Sequence, residues 1–314
     1  MKLIAELCQN HNGDYEILKD MVYAAKENGA THVKTQHIFS NMLSFRSRFE
    51  KGSFDKDGNI EVIKRPYDLE YSRLKTLEIS IDDQARFVEL CKKIGIVPMT
   101  TIFTKDSVNV VKEMGFEEIK VASYDCASIP LIRELKYKFK KLYVSTGSTY
   151  DEEIEKTANE LKGIDYSFFH CVTIYPTPLN QFNLKRINYL KNFTKEVGWS
   201  DHSLVQKDGI IGTAAAIYYG ADIIERHFTI LNPSETKDGP VSINPSELNT
   251  LSQVASMPDS ELKQYLDDKL PNHNTCLGSE RRELSKDELL NRDYYRGRFV
   301  SKINGKEIFN WEIN

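Results

Sequence analysis

The sequence predicts a (β/α)8 TIM barrel, and three observations carry that prediction. Eight short apolar segments alternate with eight segments of helical spacing. Each apolar segment ends in polar residues at its C-terminal side, the side on which such barrels carry their working groups. No G-x-G-x-x-G opens the first strand-to-helix turn, which argues against an open, doubly wound sheet. At 314 residues the chain can bury a large core, and barrels of this size are common as one domain.

The elements follow in order. Lys2–Glu6 is a short apolar strand ending in an acid; the turn Gln9–Asp14 leads into a helix over Tyr15–Glu27, closed by Asn28-Gly29. His32–Gln36 is the second strand. The long polar segment Ile38–Glu78, with a KDGN turn at Lys56–Asn59, has the length of a lid or binding loop. A helix over Ile81–Ile94, with Asp82 and Asp83 in its first turn, precedes strand Val97–Thr101 and helix Lys105–Met114. Strand Glu118–Ser123 and helix Pro130–Tyr137 follow, with proline at the helix start. Then come strand Lys141–Thr146, helix Asp151–Leu161, strand Tyr166–Cys171, a proline-rich loop at Tyr175–Pro178 and helix Leu184–Lys191. Strand Val197–Asp201, an Ala-rich helix Lys207–Tyr219, strand Asp222–Phe228 and a helix from Pro245 to about Ala255 complete the alternation. Residues 1–256 therefore read as the barrel domain and 257–314 as a polar extension, in which Asn304-Gly305 signals a hairpin.

Composition narrows the function. Net charge of −4 and a pI near 6.0 argue against a general nucleic-acid binder. No apolar run approaches the ~20 residues of a membrane helix, and the N-terminal residues lack the pattern of a secretory signal. The five cysteines are scattered without C-x-x-C spacing, which suits reduced thiols and a cytoplasmic location.

Read at the strand ends, the sequence supplies Glu6, Lys34 and Gln36, Thr101, Lys120 and Ser123, Ser145 and Thr146, His170, Asp201 and His202, and His227. Any one of these residues alone is better explained as a capping or solvated group. Their convergence on one face favours a pocket. The two lysines with surrounding hydroxyls suit a phosphate or carboxylate. Ser145-Thr-Gly147 offers backbone N–H groups near a helix start. His202 and His227 end adjacent parallel strands and could converge on one divalent ion. Glu6 could act as an acid or base, or pair with Lys34.

Seven motifs in order, Ala5–Gly13 (AELCQNHNG), Val33–Gln36 (VKTQ), Lys120–Ser123 (KVAS), Ser145–Gly147, His170-Cys171 with Tyr175-Pro176, Trp199–His202 (WSDH) and Glu225–Phe228 (ERHF), resemble the sialic acid synthase family. The resemblance spans roughly residues 2–255. It implies phosphoenolpyruvate-dependent condensation with an open-chain aldose, such as an N-acylmannosamine, giving a 3-deoxy-2-keto sugar acid and phosphate. By this resemblance His202 and His227 hold a divalent metal, Mn or Mg. Lys34, Thr101, Lys120, Ser123, Ser145, Thr173 and Ser200 hold phosphoenolpyruvate, and Glu6 and Asp125 stand near metal, water or sugar. Gln36, Tyr175 and Asp201 face the sugar.

Two departures from the family pattern touch the sugar end. Val241 stands where the family often has an aspartate in a GPD segment. The tail resembles only the opening of the antifreeze-like domain that family members usually carry, and which lends an arginine to a neighbouring subunit. The expectation is therefore retained chemistry on an altered acceptor, with a homodimer as the family's usual assembly. A shorter or phosphorylated aldose (an octulosonate-type product) and a non-catalytic sugar-phosphate-binding subunit are the alternatives; intact Glu6, Lys34, Lys120, His202 and His227 weigh against the latter.

Overall fold

The computed structural model describes residues 1–313; Asn314, at the end of the expected extension, lies outside the described residues. Eight strands build the core: β1 (Lys2–Cys8), β2 (His32–His37), β3 (Val97–Ile102), β4 (Glu118–Val121), β5 (Lys141–Ser145), β6 (Tyr166–His170), β7 (Val197–Asp201) and β8 (Ile223–His227). All neighbours are parallel, and β8 pairs back onto β1 to close the barrel. Among the described residues no helix is long and apolar enough to cross a membrane.

The period-two alternation of the strands sorts side chains into two cores. Outward-facing Leu3, Ala5 and Leu7 of β1, Val33, Ile119, Val121, Trp199 and Ile224 pack against the surrounding helices. Inward-facing Ile4, Met99, Tyr143, Phe169 and Ile223 form a separate apolar plug inside the barrel. One residue further along each strand's inward face, toward the C-terminal ends, apolar gives way to polar. Glu6 lies opposite His227 across the closing pair and opposite Lys34 on the other side.

The helices begin where the sequence supplies caps. Asp14 accepts from the backbone N–H of Glu16 at 2.7 Å, Ser80 from Asp83 at 3.0 Å, and Asn244 and Glu247 form a reciprocal capping box. Gly95 ends its helix in the left-handed region, as a C-terminal glycine allows.

Four expectations need correction. The helix expected over Lys207–Tyr219 is two pieces, Val205–Asp208 and Ile211–Tyr218, because Gly209 takes a positive φ of 51° between them. The strand expected to reach Ser123 stops at Val121, and Ser123–Asp125 turns into a 3-10 helix. The segment between β2 and β3 is built rather than plain loop: a helix Arg48–Lys51, a hairpin of Ser53–Phe54 with Ile60–Val62, and a helix Tyr67–Lys75. Finally, the polar tail contains two helices not expected, Asp259–Lys269 and Lys286–Tyr295, besides the hairpin Ser301–Ile303 with Lys306–Ile308.

The tail lies over the barrel's C-terminal face. Asn291 donates to the Thr173 carbonyl at 2.7 Å, and Tyr295 stacks on Tyr124 with ring centres 5.0 Å apart. Asn310 donates to the Phe103 carbonyl at 2.8 Å and to Asp125 Oδ1 at 2.9 Å.

Candidate active site

A cavity of about 480 Å3 opens at the C-terminal face of the barrel, where barrels of this kind carry their chemistry. Its floor is a buried quartet of charges. Lys34 ion-pairs with Glu6 and stands 3.7 Å from Glu225 Oε2. Lys120 Nζ lies 2.8 Å from the same Glu225 oxygen and 3.7 Å above the centre of the Phe169 ring. Ser200 donates to Glu225 Oε1 at 2.8 Å, Lys34 donates to Thr101 at 3.1 Å, and Gln36 donates to Glu6 at 3.3 Å. Buried charges are tolerated only when paired and hydrogen-bonded, and this arrangement supplies both.

The quartet is not electrostatically symmetric. Burial works against ionisation of Glu225, but Lys120 and Lys34 together hold its carboxyl far below the usual range. Glu6 is different: burial outweighs Lys34, Glu225 adds repulsion, and the carboxyl rises to about 7. Burial pulls the Lys120 ammonium down. One carboxylate is thus fixed as an anion, and the other can exchange a proton near neutrality.

The histidines stand beside this floor. The Val172 carbonyl lies 3.2 Å from His202 Nδ1, so Nδ1 donates and Nε2 keeps its lone pair; Tyr175 OH lies 2.9 Å from Nε2. Burial and neighbouring His227 push His202 down to about 3, and burial lowers His227 as well. Both rings are therefore neutral, as metal ligation requires, and their centres are 5.4 Å apart.

His227 Nδ1 is buried with no hydrogen-bond partner and lies 3.9 Å from Asp238 Oδ2. Ligand atoms of Cys8, His227 and Asp238 all fall within 4.8 Å of one another. Cys8 reaches this position in the left-handed region at φ 41°, where the β1–β2 register slips. An orphaned imidazole nitrogen, a thiol and a carboxylate make a donor set that fits a divalent ion, with His202 alongside.

Near the mouth, Asp125 accepts from Ser128 at 2.9 Å and from tail residue Asn310, and burial raises it to about 6. Ser123 Oγ lies 3.2 Å from Cys171 Sγ. Ser145, Thr173 and Tyr175 complete this wall.

The cavity thus gathers Glu6, Lys34, Gln36, Thr101, Lys120, Ser123, Asp125, Ser145, Thr173, Tyr175, Ser200, His202 and His227. It does not gather Asp201. Strand alternation points Asp201 outward, where it ion-pairs with Arg226 and accepts from Thr213 at 2.6 Å; the sugar contact expected there falls away. Thr146 and His170 face outward too, bonded to the carbonyls of Phe169 and Phe182.

Sequence reasoning missed Glu225, although it shares the parity of His227 on the same strand. It also missed Asp238, which faces His227 three residues before the buried Val241. Arg65, Lys237 and Arg298 at the mouth come from loops and tail, where spacing gives no direction, and Arg73 from the short helix Tyr67–Lys75 inside the segment read as a polar loop.

Known proteins resemble this chain along most of its length. The model of the NeuB family matches residues 21–264. The N,N'-diacetyllegionaminic acid synthase of Legionella pneumophila is 32% identical over 310 residues, covering 96% of this chain and 83% of that protein. The pseudaminic acid synthase of Campylobacter jejuni is 29% identical over 315 residues, covering 99% and 84%. Among solved structures, N-acetylneuraminic acid synthetase from Leptospira borgpetersenii, in complex with citrate, superposes with a TM-score of 0.69 at 25% identity, covering 93% of this chain and 90% of that one.

Proposed function

This chain belongs to the NeuB family, and from that premise we propose that it condenses phosphoenolpyruvate with the aldehyde of an open-chain, N-acylmannosamine-like aldose. The products are a 3-deoxy-2-keto sugar acid and phosphate. The observation that carries this reading is the cavity floor. Two buried lysines and a ring of hydroxyls suit a small phosphorylated carboxylate, and beside them stands a carboxyl that exchanges its proton near pH 7.

In this reading Lys34 and Lys120, with Thr101, Ser145 and Ser200, bind phosphoenolpyruvate through its two anionic groups. Glu225 keeps both ammonium groups charged and aimed into the cavity. C3 of phosphoenolpyruvate forms the new carbon–carbon bond to the aldehyde carbon, whose oxygen takes up a proton. Water then adds at C2 and loses a proton, and phosphate departs with cleavage of its C2–O bond. Glu6, protonated or not near neutrality, is placed to move one of these protons. Tyr175 and Gln36 stand where the sugar would enter.

His227 with Cys8 and Asp238, and His202 beside them, would hold a divalent ion, which when bound would polarise the aldehyde oxygen. Mn or Mg is what the family resemblance implies, and the Cys8 thiol adds a softer donor that also suits Zn, Fe or Co. Replacing His227 by Ala should strip the metal from the purified protein; undiminished metal content by elemental analysis would refute the site.

The direct test is phosphate release on mixing the protein, phosphoenolpyruvate and Mn with a panel of aldoses. Release with a mannosamine-type aldose, and product mass equal to the condensed acid, is expected. No release with any aldose would overturn the reading.

A further inference from the structure

The charges of the cavity are distributed unevenly. On the floor, Lys34 and Lys120 are matched by Glu6 and Glu225. At the mouth, four cations line the same cavity: Arg65 and Arg73 from the segment between β2 and β3, Lys237 from the loop after β8, and Arg298 from the tail. Three separate stretches of chain converge to build this rim.

Little offsets it. Arg73 and Arg298 share one carboxylate, Glu70. Arg298 Cζ also lies 4.7 Å from the Phe299 ring centre and 5.5 Å from that of Tyr295. Among the described residues, neither the Arg65 nor the Lys237 side chain makes a hydrogen bond or ion pair. Of the other acids toward the mouth, Asp238 faces His227, and Asp125 is taken up by Ser128 and Asn310, with burial raising it to about 6. The field of the rim shows in its neighbours. Although burial opposes it, Glu70 is held down at about 2 by Arg73, Arg298 and Lys237. Burial and then Arg73 push the Lys237 ammonium down. Like charges gathered at one rim repel, and an arriving anion relieves that cost. Guanidinium groups add a planar fork matched to phosphate or carboxylate.

We propose that the acceptor sugar carries an anionic group, phosphate or carboxylate, at the end remote from its aldehyde, and that Arg65, Arg73, Lys237 and Arg298 hold it. This rests on the condensation proposed above, which assigns the floor to phosphoenolpyruvate and leaves the mouth to the far end of the acceptor. The aldehyde lies inward beside the histidines, and the charged end lies outward at the rim.

Calorimetric titration of the full chain with N-acetylmannosamine 6-phosphate, N-acetylmannosaminuronate and neutral N-acetylmannosamine tests it. At least one anion should bind about tenfold or more tightly than the neutral sugar, and which one does so identifies the group. Lys237→Ala and Arg65→Ala, both at exposed positions, should each erase most of that preference and leave phosphoenolpyruvate affinity within about twofold. Equal or weaker binding of both anions overturns the proposal. So does a variant that weakens phosphoenolpyruvate and spares the anionic sugar, since the rim would then serve phosphoenolpyruvate. Phosphate release measured in parallel separates the two readings. Release with the neutral sugar and no anionic preference removes this inference and keeps the condensation. Anionic preference without release from any aldose removes the condensation and keeps an anionic-sugar site.

Discussion

At Glu6, burial among apolar strands works against the attraction of Lys34, with Glu225 adding repulsion, and the carboxyl titrates at about 7. If Glu6 moves a proton in the reaction, the rate should change along a limb near pH 7 that Glu6→Gln flattens; an unchanged profile in the variant would count against that role. The stability consequence has a definite sign. A carboxyl whose folded pKa is raised favours the fold below its unfolded value of 4.5, and that contribution is lost as pH rises through about 7. Glu225 acts in the opposite sense, because its charge is what allows two lysines to be buried together. Glu225→Gln should lower stability by about 3–5 kcal/mol, read by denaturant unfolding, because it leaves the buried Lys120 without a carboxylate partner. A loss under about 1 kcal/mol would show that the lysines find other partners. Much of this was legible from the sequence, since strand parity from Ser200 or His227 fixes which neighbours point inward. The same parity excludes Asp201 and admits Glu225, and position at a strand end is a weaker guide than parity.

The floor depends on β7 as an element more than on any side chain it carries. Gly198 leaves the space into which the Phe169 ring of β6 leans; a Cβ there would come within 2.4 Å of the ring. That ring in turn lies beneath Lys120. Gly198→Ala should therefore cost about 1–3 kcal/mol by overpacking and raise the KM for phosphoenolpyruvate, although residue 198 touches no substrate. An unchanged KM would show that Phe169 can shift without moving Lys120. The strands and most helices were readable because their apolar periods are strong. The break at Gly209 and the helices Asp259–Lys269 and Lys286–Tyr295 were not, since the tail helices bury few apolar residues and hold through polar ties. Arg292 shows the pattern: it donates to the Ser148 carbonyl and pairs with Glu153 at 2.6 Å, contacts that no periodicity encodes.

For the whole molecule, the alternation of strands and helices determined the architecture. The tail's position over the mouth came from contacts between distant segments, among them Asn310 with Asp125 and Tyr295 with Tyr124. The pairing of β1 with β8 has a further consequence, in the time course of folding. Glu6 stands opposite His227 on that closing pair and opposite Lys34 on the other side, so the acid, the imidazole and a lysine meet only when the first and last strands find each other. Contacts so distant along the chain form late, because their loop-closure entropy must be offset by structure already made. After dilution from denaturant, helical ellipticity should return before the ability to bind phosphoenolpyruvate, and simultaneous recovery would contradict this order. Until the seam shuts, the barrel has its walls and no complete floor of charges.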